Sequence, residues 1–151
     1  MEKTLNIKYE QIDQLDLLNA SDRELLEAAR AVAGNSVSPY SNFSVGAAAR
    51  MSSGEIVTGA NVESEVYPAG LCAERNLLFH TAISHPKEAI ETLVVTSIST
   101  DDECYPCGFC RQVLLDTERR QGSPIRVIMA GSSTATIVES ASTLTPFAFK
   151  L

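Results

Sequence analysis

The sequence predicts an α/β protein in which helices cover both faces of a mixed sheet of about five strands, giving three layers. Segments with apolar residues at helical spacing alternate with short segments rich in β-branched residues, and turn residues separate them. The 151 residues, 44% of them hydrophobic, are enough for one domain with a substantial core. We therefore expect residues 1–151 to form a single domain of this class.

The first half of the chain predicts a helix followed by a hairpin. Ser21 and Glu24 have the S-x-x-E spacing of a capping box, apolar residues follow at helical spacing, and Gly34 predicts the end of the helix. Residues 44–51 and 55–62 then flank a Ser-Ser-Gly turn, which is typical of two paired strands. The short side chains of the first of these strands favour close packing against a neighbouring layer.

The second half predicts two further helices and three further strands. One helix begins at Cys72 and ends before His85-Pro86, and another begins at Cys107 and ends before Gly122. The β-branched residues 92–99 predict a buried strand between these helices, and "IRVIMAG" and the stretch around "TATIVE" predict two more strands. The order helix, hairpin, helix, strand, helix, strand, strand is the basis for a five-stranded sheet.

Charge and hydropathy limit the class of partner. The formal net charge is -7 and the pI is near 4.8, with the basic residues scattered, so binding to a polyanion such as nucleic acid is unfavourable. No apolar stretch approaches the roughly 20 residues of a membrane-spanning helix, and the first residues lack the pattern of a secretory signal. We expect a cytoplasmic protein that binds a small molecule and has neither a nucleic-acid nor a membrane partner.

The four cysteines indicate metal or redox chemistry rather than disulfides. Cys104, Cys107 and Cys110 have the spacing C-x-x-C-x-x-C, and Cys72 stands at the start of the other predicted helix. In the first turn of a helix the sulfurs of Cys107 and Cys110 lie on one face, and the positive end of the helix dipole lowers the pKa of a thiol. If the two helix starts converge, three sulfurs form a ligand set that selects zinc.

Glu74 gives this zinc site a chemical use. Three ligands leave one coordination place open, and a carboxylate two residues from Cys72 is better placed to accept a proton from water than to bind the metal. Spacing alone leaves two other interpretations open. Cys104 as a fourth ligand would close the site and make the zinc structural, and a Cys-x-x-Cys pair without metal would be a redox centre.

Four segments of the chain resemble one family. "NVESEVYPAGLCAERNLLF" followed by "YPCGFCRQVLLD" closely resembles the zinc-dependent cytidine deaminases of the small, homotetrameric, free-nucleoside type. The resemblance continues in "SPYSNFSVGAA" upstream and in "TPFAF" near the end, in the order seen in the family. It implies the cytidine deaminase fold and the hydrolytic deamination of cytidine and 2'-deoxycytidine to uridine and 2'-deoxyuridine, with release of ammonia, in pyrimidine salvage.

The resemblance also implies which residues carry the chemistry. Three thiols would hold one Zn²⁺ per chain: Cys72, Cys107 and Cys110. Glu74 would be the catalytic residue that takes a proton from water, supplies one to ring N3 and helps ammonia to leave. Arg75 would donate a hydrogen bond to a ligand sulfur and offset the charge of the thiolates, with Arg111 as the second candidate.

The substrate-binding residues are implied in the same way. They are Asn61 and Glu63 for the ribose hydroxyls, Phe43 and the backbone of Ala73 for the base, and Phe149 for stacking on the base of a neighbouring subunit in a homotetramer. Phe147 is the alternative to Phe149. Taken without the family, Asn61 and Glu63 are a turn asparagine and a solvated glutamate, and Phe43 is an ordinary core residue.

Other functions are kept as alternatives. A deaminase for a cytosine-containing antibiotic such as blasticidin S would share the chemistry, whereas a zinc module closed by Cys104 would have no reaction. Deamination of bases within RNA or DNA is disfavoured by the acidic charge of the chain.

Overall fold

The structure, a computed structural model, describes residues 1–151 and confirms the predicted α/β class. The strands are β1 (Glu10–Ile12), β2 (Val45–Met51), β3 (Ile56–Ala60), β4 (Ile90–Ser97), β5 (Arg126–Ala130) and β6 (Ala135–Val138). The α-helices are α1 (Ala20–Ala33), α2 (Ala73–Ser84) and α3 (Gly108–Gln121).

All six strands form one mixed sheet in the order β1-β6-β5-β4-β2-β3. β4 and β5 are parallel, and every other neighbouring pair is antiparallel. The sheet therefore has one strand more than the predicted five. The additional strand is β1, which has only three residues, of which Ile12 alone is buried, so it lacks the alternating pattern that identifies a strand.

Alternate residues of β4 face opposite sides of the sheet. Leu93 and Val95 pack with the buried residues of α2 and α3, whereas Val94 packs with those of α1. This period of two is what a pleated strand produces. Helices therefore cover both faces of the sheet, which confirms the predicted three layers. Burial of each of these aliphatic side chains stabilises the folded state by about 1.5–3 kcal/mol.

The cap of α1 differs from the predicted capping box. The N-cap is Asn19, whose Oδ1 accepts a hydrogen bond from the backbone N–H of Asp22 at 2.8 Å and whose Nδ2 donates to the Asp22 carboxylate at 2.9 Å. Ser21 lies inside the helix, and Glu24 pairs with Arg50 at 2.7 Å. The predicted capping box of Ser21 and Glu24 is therefore wrong. Asparagine is as favourable an N-cap residue as serine, and Asn19 stands two residues before Ser21.

The other predicted boundaries agree with the structure. Gly34, His85 and Gly122 each follow the last residue of a helix, and the predicted hairpin is the antiparallel pair β2–β3. None of the three helices combines the length and hydropathy required to span a bilayer.

Strand direction brings two helix starts to one edge of the sheet. β2 is antiparallel to both β3 and β4, so β3 and β4 run in the same direction and end at the same edge. In the chain α2 follows β3 and α3 follows β4, and the N-termini of both helices therefore lie near that edge. β5 is parallel to β4 and ends there too. We call this edge, formed by the ends of β3, β4 and β5, the upper edge.

Gly59 of β3 allows α2 to pack closely on the sheet. A Cβ atom built at Gly59 would lie 2.7 Å from the carbonyl oxygen of Ala73 and 2.9 Å from the backbone nitrogen of Leu77. Only a residue without a side chain fits under the first turn of α2. This contact sets the position of the helix start relative to the upper edge.

Candidate metal centre

Cys72 is held at the start of α2 by the segment that follows β3. It is the N-cap residue, and the residue before it, Leu71, exchanges backbone hydrogen bonds with Val62 at 2.9 and 3.0 Å. Val62 stands between Asn61 and Glu63. The thiol of Cys72 and the two residues predicted to bind ribose are therefore brought to the same place by one short antiparallel bridge.

Cys107 and Cys110 lie at the start of α3, as predicted. Cys107 is the N-cap residue and is exposed, whereas Cys110 is 0% exposed. Arg111 Nε donates a hydrogen bond to the carbonyl oxygen of Pro106 at 2.8 Å, which fixes the turn into the helix. One thiol of this helix therefore lies at the surface and the other in the interior.

The three thiols converge. The Sγ atoms of Cys72 and Cys107 are 3.9 Å apart, and the sulfurs of Cys72, Cys107 and Cys110 all lie within 4.8 Å of one another. A tetrahedral zinc ion with Zn–S bonds of about 2.3 Å holds its sulfurs about 3.8 Å apart. The spacing and the softness of the three thiols fit zinc.

The protons of the thiols are distributed unequally. The pKa of Cys72 is lowered to about 5, first by a hydrogen bond from Cys110, against the effect of burial, and then by Arg75 and Cys107. The pKa of Cys110 is raised, first because its proton lies in that hydrogen bond and then because the thiol is buried. Metal binding must displace such a proton, since only thiolates are ligands.

Glu74 is buried beside the thiols. The residue is 3% exposed, and its pKa is raised to about 7 by burial, against a hydrogen bond to its own backbone N–H, with a further increase from the charge of Cys72. A carboxyl group that ionises near neutrality can both accept and donate a proton. Its position two residues into the turn from Cys72 is the one that the sequence predicts.

Cys104 lies outside the group of converging thiols. Its side chain packs against the hydrophobic core that α2 and α3 cover, and burial raises the pKa of its thiol to about 12, with the charges of Glu74 and Cys72 acting in the same direction. A neutral thiol in apolar surroundings is a poor metal ligand. The structure therefore does not support the alternative in which Cys104 is the fourth ligand of a closed zinc site.

Arg75 is the arginine that contacts a ligand sulfur. Its Nη2 donates a hydrogen bond to Cys72 Sγ at 3.8 Å, and its guanidinium lies 5.5 Å from the ring centroid of Phe109. Arg111 bonds to the Pro106 carbonyl instead. The positive charge of Arg75 offsets part of the negative charge that three thiolates bring to the site.

A cleft of about 310 Å³ opens beside Cys72. Its lining includes Asn61, Glu63, Tyr67, Cys72 and Arg75. Two larger clefts, of about 460 and 660 Å³, lie elsewhere and contain no cysteine. The smaller cleft is the candidate binding site because its lining joins Cys72 to the predicted ribose-binding residues, Asn61 and Glu63.

Asn61 braces the loop before β2. Its Oδ1 accepts hydrogen bonds from Ser36 Oγ at 2.6 Å and from the backbone N–H of Val45 at 2.9 Å, and its Nδ2 donates to the carbonyl oxygen of Phe43 at 2.8 Å. Asn61 therefore has a structural role that the sequence pattern does not reveal. One N–H of its amide is left for a ligand.

Glu63 supports the same loop from the other side. Its Oε1 accepts hydrogen bonds from the backbone N–H groups of Tyr40 at 3.3 Å and Ser41 at 3.2 Å, and from the hydroxyl of Ser41 at 3.2 Å. The second carboxylate oxygen is left to bind a hydroxyl group of a ligand.

The remaining predicted binding residues are dispersed. Ala73 is 0% exposed at the first turn of α2, and Phe43 is 39% exposed beside the loop that Asn61 braces. Phe149 and Phe147 lie in the C-terminal tail, 69% and 98% exposed, and neither lines the cleft.

Tyr67 was not among the predicted site residues, although it lines the cleft. Its ring forms an edge-on pair with that of Tyr40, with centroids 5.9 Å apart. The signal that indicates it in the sequence is its place between Glu63 and Cys72.

A six-stranded sheet between helix layers, with three thiols at two helix starts, defines an α/β/α zinc-binding protein. Residues 19–121 match the family described as the cytidine and deoxycytidylate deaminase zinc-binding region, and the chain belongs to this family. The predicted zinc cofactor is confirmed by that description together with the group of three thiols.

Curated relatives match over part of their length. A cytidine deaminase of Halalkalibacterium halodurans is 41% identical over 76 residues, which cover 49% of this chain and 57% of that protein. A cytidine deaminase of Mycobacterium tuberculosis is 55% identical over 47 residues, which cover 31% of this chain and 35% of that protein. The chain thus spans between about a third and somewhat more than half of the length of these relatives.

Solved structures match over greater lengths. The crystal structure of a cytidine deaminase from Burkholderia pseudomallei has a TM-score of 0.73 and 32% identity, and the match covers 87% of this chain and 100% of that one. A cytidine deaminase from Mycobacterium tuberculosis gives a TM-score of 0.71 and 32% identity, with 88% and 100% covered. The predicted cytidine deaminase fold is confirmed, and part of this chain has no counterpart in either structure.

Proposed function

We propose that residues 1–151 form one domain that deaminates cytidine and 2'-deoxycytidine by hydrolysis. Water supplies the oxygen that becomes bonded to C4, the bond from C4 to the amino nitrogen breaks, and the products are uridine or 2'-deoxyuridine and ammonia. The observation that carries the proposal is a buried carboxyl, that of Glu74, beside three converging thiols. The similarity to cytidine deaminases among the relatives and the solved structures supports the same reaction.

Glu74 is the residue that moves protons in this reaction. Zinc held by Cys72, Cys107 and Cys110 supplies Lewis-acid activation of water at neutral pH. Glu74 accepts a proton from water, passes a proton to ring N3 and later delivers one to the departing amino group. Because the carboxyl is buried, bulk water does not compete for these protons.

The sugar and the base are positioned by groups around the cleft. The remaining N–H of Asn61 and the second oxygen of Glu63 bind the ribose hydroxyls, while the backbone at Ala73 contacts the edge of the base. Phe43 lies beside the ring. These roles are supported by the bridge between Val62 and Leu71, which puts the ribose-binding residues next to Cys72.

The charges around the cleft favour a nucleoside over a nucleotide. Glu63 contributes a negative charge, and the only basic residue of the lining, Arg75, is turned toward Cys72. A 5'-phosphate would meet repulsion without a compensating cation. Cytidine monophosphate is therefore a poor substrate in this proposal.

We further propose a homotetramer in which neighbouring subunits complete one another's sites. Phe149 and Phe147 are exposed at 69% and 98%, and α2 exposes Phe79 at 46% and Ile83 at 83%. Apolar side chains exposed to this extent are typical of surfaces that another chain covers. The cytoplasm is the proposed location because the ligand set needs free thiols, which a reducing compartment preserves.

The function is tested by an ultraviolet assay of the zinc-loaded protein with cytidine, 2'-deoxycytidine, cytidine monophosphate and blasticidin S. We expect turnover of the first two and little of the third, with the Glu74→Gln variant inactive as the control. Turnover of blasticidin S with cytidine unchanged would favour the antibiotic deaminase. No ammonia from any of the four would overturn the proposal.

A further inference from the structure

The side chain of Glu103 joins three parts of the chain near the metal centre. Glu103 lies in the loop between β4 and α3, and its carboxylate accepts hydrogen bonds from Gln11 at 2.8 Å, Thr134 at 2.7 Å, Thr136 at 2.6 Å and Tyr105 at 2.9 Å. Gln11 belongs to β1, Thr136 belongs to β6 and Tyr105 stands two residues before Cys107. One carboxylate therefore connects the N-terminal strand to the segment that carries a zinc ligand.

The backbone of this loop rests on the turn between β5 and β6. A Cβ atom at Gly131 would lie 2.5 Å from the carbonyl oxygen of Asp101, so the loop packs directly on the glycine. The N–H of Cys104 donates to the carbonyl of Ala130 at 3.3 Å, and the N–H of Ser132 donates to that of Asp101 at 3.0 Å. The loop is thus fixed to the turn up to Cys104.

Between Cys104 and the start of α3, fewer hydrogen bonds hold the loop in place. The hydroxyl of Tyr105 is bonded to Glu103, and the carbonyl of Pro106 accepts from Arg111. Cys107 is the next residue after Pro106 and is exposed, whereas Cys110 lies in the first turn of α3 and is buried. Of the three converging thiols, that of Cys107 is therefore the one nearest in the chain to the Glu103 network.

We propose that Gln11 and Glu103 are positioning residues that hold Cys107 in place for the metal, so that β1 supports the zinc site. The inference rests on the zinc site of the proposed function. Gln11, Thr134 and Thr136 all lie outside residues 19–121, the part of the chain that the family description covers. The contacts therefore come from outside the part of the chain that the family description covers.

The test is the rate at which zinc leaves the full-length, zinc-loaded protein when a chelator is added in excess. We expect Gln11→Ala and Glu103→Gln to release zinc at least about threefold faster than the wild type, a smaller effect than the roughly 10- to 100-fold of groups bonded directly to ligands. Alkylation of Cys107, followed by mass spectrometry of the metal-free protein, should accelerate as well.

A matched control comes from the other end of α3. Glu118 also accepts four hydrogen bonds, from the backbone N–H groups of Ile125, Ala141 and Ser142 and from the hydroxyl of Ser140. Glu118→Gln should lower the melting temperature without changing zinc release. This separates loss of positioning from loss of stability.

Two results would overturn the inference. If Gln11→Ala and Glu103→Gln release zinc no faster than Glu118→Gln at a similar loss in melting temperature, β1 does not support the site, although the proposed function stands. If the wild-type protein binds no zinc, the metal site fails and this inference fails with it. Should Glu103→Gln not fold, Gln11→Ala and Thr136→Val decide the question.

Discussion

The inner and outer halves of the candidate site are built in different ways. The inner half consists of Ala73, Glu74 and Cys110, which are 0%, 3% and 0% exposed and lie in the first turns of helices packed on the sheet. The outer half includes Phe43, at 39% exposed, and the exposed Cys107, and it lies in loops and at the N-cap of α3. In the proposed function, the proton carrier and one ligand therefore lie on rigid elements, whereas the proposed substrate-binding residues of the outer half lie on loops, which need bracing by side chains.

The largest expected effect comes from removing a ligand. Cys110→Ser and Cys107→Ser should both weaken zinc binding by more than the roughly 10- to 100-fold seen for groups that only support a ligand, and both should abolish activity. Only Cys110→Ser should also destabilise the metal-free protein, by about 1–3 kcal/mol, because it buries a hydroxyl. Zinc content and thermal melting measure the two effects. If both variants destabilise the metal-free protein equally, the inner and outer halves of the site do not differ in the way described.

Glu74→Gln tests the inner half without removing metal. Turnover of cytidine should fall by roughly a thousandfold, in the range of lost acid–base catalysis, while zinc content stays at one per chain. The melting temperature should not fall, since a buried ionisable group is replaced by a neutral one of the same shape. A variant that keeps more than a tenth of wild-type kcat would contradict the role of Glu74.

Asn61→Ala and Glu63→Gln probe the outer half. Both should raise KM for cytidine by about tenfold, the cost of one hydrogen bond. Asn61→Ala should also reduce stability by about 1–3 kcal/mol, because the N–H of Val45 and the carbonyl of Phe43 lose their partner. Glu63→Gln keeps an oxygen that can accept from the loop and serves as the matched comparison. Unchanged KM in both variants would exclude these residues from ribose binding.

The C-terminal tail should affect binding without affecting stability. Phe149→Ala is expected to raise KM by about threefold to tenfold, the value of one aromatic stacking contact. The change in unfolding free energy of a single chain should be within about 0.5 kcal/mol, as is usual for exposed positions. Phe147→Ala is the control. An effect confined to Phe147→Ala would exchange the roles of the two rings.

The smallest effect concerns the pH dependence of the Glu103 network. Burial raises the pKa of Glu103, but the hydrogen bonds from Thr136, Thr134, Gln11 and Tyr105 together outweigh burial, and the pKa is lowered. The stability that Glu103 adds is fully present above its unfolded pKa of about 4.3 and is lost as the pH falls through the lowered folded value. The difference in melting temperature between wild type and Glu103→Gln should therefore shrink below that pH. If the difference in melting temperature instead grows on acidification, the ionised form of Glu103 does not stabilise the fold and the proposed role of its hydrogen bonds is wrong.

The parts of the site that are predictable from sequence are those with local signals. Cys107 and Cys110 are three residues apart, Cys72 and Glu74 are two apart, and each pair begins an apolar helical segment. Spacing therefore predicts a metal or redox centre with a neighbouring carboxyl, and the family resemblance selects the proposed ligand set. The strand directions, which bring the Cys72/Glu74 pair next to the Cys107/Cys110 pair, are harder to predict from the sequence. They depend on β2 pairing with both β3 and β4, which only the order of elements suggests.

What is not predictable is carried by polar side chains that act over long sequence distances. Gln11 and Glu103 are 92 residues apart, and no local pattern marks either one. Asn61 has the form of a turn residue, yet it holds the loop at Ser36 and Val45. β1 escapes prediction for a related reason, since only Ile12 of its three residues is buried. Hydrophobic periodicity detects buried faces, whereas these contacts are polar and partly exposed.

The pairing of Glu10 with Ile137 joins the first strand of the sheet to the last. On the ribosome, where chains grow at about 5–20 residues per second, β1 emerges on the order of ten seconds before its partner strand. During that interval Ile12 has no hydrophobic layer to enter and Gln11 has no acceptor at Ala135. The β1–β6 side of the sheet therefore forms only after β6 has been synthesised, and nascent chains halted before β6 should bind zinc more weakly than chains that include it.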